Sequence, residues 1–112
     1  MKFTYTFDQL RDVPAENTYR LFENYERTME RFGAVDLDRY YTADYGVIEA
    51  ETPEAACEAL FKKYNVEHPE DYTGRSMAVS DIVNLWDNST DPPIKSTWFC
   101  DSIGFKRLEE SK

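Results

Sequence analysis

Asn65–Leu85 reads NVEHPEDYTGRSMAVSDIVNL, and along it the residue types change from helix-ending to turn-forming to strand-forming. His68-Pro69 disfavours helix at position 68, because the proline ring crowds the preceding backbone. Asp71-Tyr72-Thr73-Gly74 reads as a tight turn. From Val79 to Trp86 the chain is apolar on both sides, the pattern of an interior strand. The stretch therefore takes the chain out of a helix and into the middle of a sheet.

The helix before it has a clear start. Thr52-Pro53-Glu54 supplies an N-cap hydroxyl, a proline whose missing N–H costs nothing in the first turn, and a carboxylate at the positive end of the helix dipole. Ala56, Leu60, Phe61 and Tyr64 form one apolar face with Cys57 beside them. Lys62 and Lys63 suit the last turn, and the helix is expected to stop near Asn65.

Further back, Phe3, Tyr5 and Phe7 alternate with Lys2, Thr4 and Thr6, as in a half-buried strand. Asp8 to Glu16, interrupted by Pro14, reads as a connection with a short helical turn at Asp8 to Arg11. Tyr19, Phe22, Tyr25 or Glu26, Met29 and Phe32 recur at helical spacing, which predicts a helix from about residue 18 to 32. Asn17 or Thr18 is its cap and Gly33 its close. Tyr40 to Glu49, YYTADYGVIE, reads as a strand, with Gly46 as the site of a bulge.

Beyond Trp86, Asn88 to Lys95 is a turn-rich loop, and Thr97 to Asp101 is a strand antiparallel to the one before it. Ile103, Phe105 and Leu108 are the last apolar residues, and Glu109 to Lys112 is a solvated tail. The expected fold is α+β: one domain over residues 1–112, with a small, mostly antiparallel sheet of about four strands and two helices packed on one face. At 112 residues, of which 15% are aromatic, the chain is long enough to bury a core without disulfides or a metal.

The charge balance narrows the possible partners. With 22 acidic and 13 basic residues the net charge is −9, which repels nucleic-acid backbones and anionic lipid. Direct nucleic-acid binding is not expected. There is no apolar run of signal-peptide length at the N-terminus, and none of membrane-spanning length elsewhere, so the expectation is a soluble cytoplasmic protein. Cys57 and Cys100 show no metal-ligand spacing and read as buried thiols.

Several blocks, taken in order, resemble the YodL-like family. They are FENY at 22–25 followed by Gly33, the Tyr-rich strand to Tyr45-Gly46, FKKYNVEHPEDYTGRSMAVSDIVNL at 61–85, and WFCDSIGFKRL at 98–108. The signature consists of His68-Pro69, Asp71-Tyr72, Gly74, Arg75, Ser76, Ser80-Asp81, Asp101-Ser102 and Gly104-Phe105-Lys106. Tyr64 stands where the family usually has Phe, Arg75 where His is common, and Met77-Ala78 where Leu-Ser is typical. The resemblance spans residues 22–108, and the first 20 or so residues depart from the usual opening. It implies a domain found in low-GC Gram-positive bacteria, often on conjugative and other mobile elements, and it carries no catalytic residues over to this chain.

His68, Ser76, Ser80 and Asp81 are the residue types of a nucleophilic triad. Their order provides no nucleophile elbow, however, since Ser76 sits in Gly-Arg-Ser-Met. A structural role, in which each Ser or Asp bonds otherwise unpaired main-chain groups, is the expectation. His68 with Glu67, Glu70 or Asp71 is a poor set for zinc, and no EF-hand spacing is present. Gly33, Gly46, Gly74 and Gly104 are isolated, so no phosphate-cradling loop forms. No metal, cofactor or catalytic residue is therefore assigned.

Asp81 and Asp101 lie in or beside apolar strands. Arg75, Lys106 or Arg107 is a candidate partner for one of them; each is expected to brace a neighbouring loop through main-chain amides, and the functional alternative for the signature is a recognition surface, at the sheet edge and around Glu70 to Arg75. Glu49, Glu51, Glu54, Glu58, Glu67, Glu70 and Asp71 read first as solvated, and second as an acidic surface imitating DNA phosphates. Asp91-Pro92-Pro93-Ile94-Lys95 and Trp98 are candidates for an apolar contact patch. The function expected from the sequence is a non-enzymatic domain that binds an unidentified protein. The alternatives are an acidic inhibitor of a host nuclease or restriction protein, and a hydrolase using His68 and Ser76.

Overall fold

A computed structural model describes residues 1–11, 20–67, 70, 72 and 74–108. Five antiparallel strands make one sheet. They are β1 (Lys2–Leu10), β2 (Tyr40–Glu49), β3 (Ile82–Asp87), β4 (Ile94–Cys100) and β5 (Phe105–Leu108), in the order β2-β1-β3-β4-β5. Helix α1 spans Tyr25–Phe32 and α2 spans Pro53–Asn65, with a short 3-10 turn at Leu37–Arg39. The fold is α+β. Residue 68, the cap residues 17 and 18, and much of the 71–74 turn lie outside the described residues.

The N-terminal strand occupies the middle of the sheet. Its alternation puts Phe3, Tyr5 and Phe7 on one face, level with Leu85 and Val83 across the ladder. On this face α2 lays down Ala56, Cys57, Leu60 and Tyr64, all fully buried, and Trp98, Cys100 and Met77 complete the core. Tyr64 stacks on Phe7 with ring centroids 4.6 Å apart. Thr52 caps the helix as its sequence indicates, its hydroxyl accepting from Ala55 N–H at 3.1 Å. Phe61, expected on the apolar face, is instead exposed, lying one residue past the buried Leu60 at the margin of the core.

Several boundaries differ from the sequence reading, each for a local reason. β1 continues through Leu10 in place of the helical turn at Asp8 to Arg11, because β2 pairs with it as far as Leu10↔Tyr40. The irregularity in β2 lies opposite Phe7/Asp8, so that Ala43 is the extra residue, not Gly46. β3 starts at Ile82, after a turn in which Ser80 takes φ 84°, and β4 begins at Ile94 inside the expected loop. The fifth strand, β5, pairs Cys100↔Phe105 through Thr97↔Leu108.

α1 starts at Tyr25, later than the helical period suggests. Asn24 is the cap, its Oδ1 accepting from Arg27 N–H at 2.8 Å, and Phe22 takes the left-handed conformation at φ 60°. Tertiary bonds hold residues 22–25 out of the helix: Phe22 N–H donates to Ser80 Oγ at 3.1 Å and Tyr25 N–H to Asp101 Oδ1 at 3.1 Å. Gly33 closes the helix at φ 75°, donating to Met29 O.

The two helices take opposite faces of the sheet. Tyr25 of α1 packs edge-on against Phe99, ring centroids 5.7 Å apart, and Phe99 is level with Ile82 on the face away from Trp98 and α2. One apolar stripe per helix does not specify which face it covers.

Gly46 is held by a close approach. A Cβ there would lie 3.1 Å from the Tyr5 hydroxyl and 3.2 Å from its ring. Tyr5 has no room to yield, since its hydroxyl is bonded to Tyr64 at 2.9 Å and to Lys63 Nζ at 2.8 Å, and Tyr64 in turn donates to Asp44 at 2.7 Å. Gly46→Ala is therefore expected to destabilise the fold by about 1–3 kcal/mol through overpacking. This runs against the usual small gain from removing a strand glycine. A urea midpoint equal to or above wild type would contradict the packing described.

Candidate functional site

Four of the signature residues, Arg75, Ser76, Ser80 and Asp81, meet at one joint. Asp81, 1% exposed, precedes β3 and accepts from Ala78 N–H at 2.9 Å and from Gln9 Nε2 at 3.2 Å. Gln9, fully buried in β1, reaches the carbonyls of Arg75 and Ser76 with the same amide. Ser80 takes Phe22 N–H on its hydroxyl and the Tyr40 hydroxyl on its carbonyl at 2.6 Å, while its own N–H donates to Cys100 O. Cys100 N–H donates to Asp81 O. Two adjacent residues thus join β1, β2, β4 and the approach to α1.

Asp101 does similar work at the end of β4. Its Oδ1 takes Tyr25 N–H and Ser102 N–H, and Gly104, at φ 68°, turns the chain into β5. Neither aspartate forms an ion pair with Arg75, Lys106 or Arg107 among the described residues; Arg75 acts on Asp81 only through its field. Ser76 is exposed, and His68, Pro69 and Asp71 lie outside the described residues, so no distance links Ser76 to His68. Burial raises both thiols, Cys100 to about 12, which keeps them protonated at neutral pH. Among the described residues no group of His, Cys, Asp or Glu is placed to hold a metal ion.

What this joint builds is a groove. With its first turn pinned by Ser80 and Asp101, α1 stands off the sheet, and an open groove of about 850 Å³ lies between it, the segment 34–37, and the ends of β4 and β5. Tyr25, Met29, Val35, Leu37 and Leu108 give it an apolar wall, and Lys95, Thr97, Lys106 and Arg107 complete the lining. The floor is braced by a polar chain. Thr97 donates to Asn84 Oδ1 at 2.8 Å, Asn84 Nδ2 donates to Asp8 at 3.0 Å, and Thr42 donates to the other Asp8 oxygen at 2.9 Å. Burial raises the Asp8 carboxyl, and these bonds and the field of Lys95 oppose the rise.

The charge of the groove is opposite to that of the protein. Three cations and no carboxylate line it, in a chain of net charge −9. None of the three forms an ion pair among the described residues; each instead lies over an aromatic ring. Lys95 Nζ is 5.3 Å from the Trp86 centroid, Lys106 Nζ 5.5 Å from Tyr25, and Arg107 Cζ 5.8 Å from Trp98. Trp98 is on the α2 face, so the outer strand has a cation on each side. Of the signature residues, only Lys106 lines the groove directly. The remainder was visible in sequence only as a local charge inversion, since residues 95–108 hold Lys95, Lys106 and Arg107 against Asp101 alone.

The buried carboxyl gives a pH test of the joint. Burial pushes Asp81 up to about 6, against the pull of the Ala78 amide, Gln9 and Arg75. The unfolded value is near 3.9, so the folded state holds the proton more tightly. The stability this contributes is fully present below about pH 4 and lost as pH rises through about 6. Relative to Asp81→Asn, wild type should gain up to about 3 kcal/mol on acidification from neutral pH to about pH 4. A pH-independent difference between the two urea midpoints would show that Asp81 is not buried in this way.

No curated protein and no solved structure matched the chain. A sequence-family model, that of the YodL-like domain, matches residues 4–110. The match takes in β1, so the N-terminal strand falls within the family pattern, contrary to the later start at residue 22 read from the signature blocks. With nearly its whole length matched, the chain belongs to the YodL-like domain family.

Proposed function

We propose that this domain is a non-enzymatic protein-interaction module, serving a conjugative or other mobile element, and that its partner engages the groove between α1 and β5. The observation that carries this reading is the charge inversion: a cationic, part-apolar groove beside a sheet edge, on a chain that is otherwise strongly acidic. Such an arrangement selects partners by sign and speeds their encounter. Lining groups that are apolar, aromatic or cationic suit contact better than bond-making, which would call for a poised acid, base or nucleophile. The mobile-element setting rests on the family resemblance alone.

A second reading, an acidic surface that occupies a basic cleft of a host nuclease, draws on Glu49, Glu51, Glu54 and Glu58, all exposed around the start of α2. None of these carboxylates lines the groove, so the two readings separate by mutation. Lys106 and Arg107 are both exposed, and reversing them should leave the fold intact. Cross-linked capture from a host lysate is expected to enrich a partner on wild type that the Lys106→Glu/Arg107→Glu variant loses. Equal recovery by both baits, or no enrichment on wild type across several hosts, would sink the groove reading.

A further inference from the structure

β5 is the outermost strand of the sheet on its side, with β4 as its only neighbour among the described residues. In an antiparallel ladder, successive residues direct their N–H and C=O alternately toward and away from the partner strand. Asp101 N–H donates to Gly104 O at 3.0 Å across the turn, and Cys100 directs its N–H and C=O toward the β3 side, to Asp81 and Ser80. That register turns Lys106 and Leu108 toward β4 and leaves the main-chain groups of Phe105 and Arg107 on the outer side. An open edge of this kind is a template for one more strand.

The side chains beside the edge specify that strand's chemistry. On one face the groove offers Met29, Leu37 and Leu108 as apolar wall, with Lys106 at its rim; on the other, Arg107 lies over Trp98. We propose that an extended acidic peptide adds to the outer edge of β5, bonding Phe105 and Arg107 through its main chain. Its alternate apolar side chains fill the groove beside Lys106, and its carboxylates, on the other face, meet Arg107, with the charge of Lys106 at the groove rim adding to the attraction. This rests on the interaction reading above and narrows it, from an unspecified partner to an acidic strand of a protein.

The test is an NMR titration of the full chain with three synthetic probes. They are a short peptide alternating glutamate and valine, its lysine–valine counterpart, and the glutamate–valine peptide N-methylated at alternate residues. The glutamate–valine peptide is expected to shift the resonances of 105–108 and Met29, and to slow amide exchange at Phe105 and Arg107. The lysine–valine peptide and the N-methylated peptide should bind about tenfold more weakly or less, as should the glutamate–valine peptide on Lys106→Glu/Arg107→Glu, a difference of about 1.4 kcal/mol. Absence of binding, equal binding of all three peptides, or saturation without protection of Phe105 and Arg107 would overturn strand addition. If those results came with a captured partner that still depends on Lys106 and Arg107, strand addition alone would fall. Loss of that dependence would remove the groove reading as well.

Discussion

Asp81 is a carboxylate with almost no solvent contact, and its bonds to Gln9 and the Ala78 amide tie the end of β1 to the turn that leads into β3. A buried acid is costly unless every lone pair finds a donor. Here the donors come from β1 and from the turn before β3, so removing either element leaves the charge stranded. Ser80 extends the joint outward, taking Phe22 N–H on its hydroxyl while its own conformation, φ 84°, is held by the bond its N–H donates to Cys100 O and the bond its carbonyl accepts from Tyr40. The cost of that conformation is of order 1–3 kcal/mol, and the surrounding bonds hold it. Ser80, Asp81 and Asp101 are in this sense main-chain clamps, and the groove is their consequence.

The groove and the core lie on opposite faces, and the sheet order explains the division. Placing β1 in the centre gives α2 an apolar platform of Phe3, Tyr5, Phe7, Val83 and Leu85, which it covers. The other face carries Thr6, Asp8, Asn84 and Thr97, tied to one another by hydrogen bonds, and α1 covers only its Phe99 end. A polar face of this kind tolerates solvent, so a short helix standing off it leaves a groove without exposing a large apolar area. Cations stacked over aromatic rings at its margins are held in place without being neutralised, and their charge stays available to a partner.

How far this was legible in the sequence depended on whether the signal was local. Thr52-Pro53-Glu54 fixed the start of α2 correctly, because cap, proline and dipole all act within one turn. The alternation of Phe3, Tyr5 and Phe7 located β1 but not its end, since Gln9 is buried for the sake of Asp81, more than seventy positions away. The start of α1 was placed too early because Phe22 continues the helical period while Ser80 and Asp101 claim the main chain at 22 and 25. β5 went unread as a strand, being four residues long with two cations at its centre. The groove joins residues 25–37 to 95–108, and no spacing rule connects those segments; only the local reversal of charge pointed toward it.

β5 presents an edge that is unpaired among the described residues, beside the cationic groove, and amide hydrogen exchange on the free protein reads that edge residue by residue. Exchange at β1 should be slowest, as befits the centre of the sheet. Within β5 exchange should alternate, with Lys106 and Leu108 protected by β4 and with Phe105 and Arg107 exchanging at rates close to those of unstructured chain. Protection of Phe105 and Arg107 equal to that of Lys106 would mean that the edge is already covered, and would contradict the account.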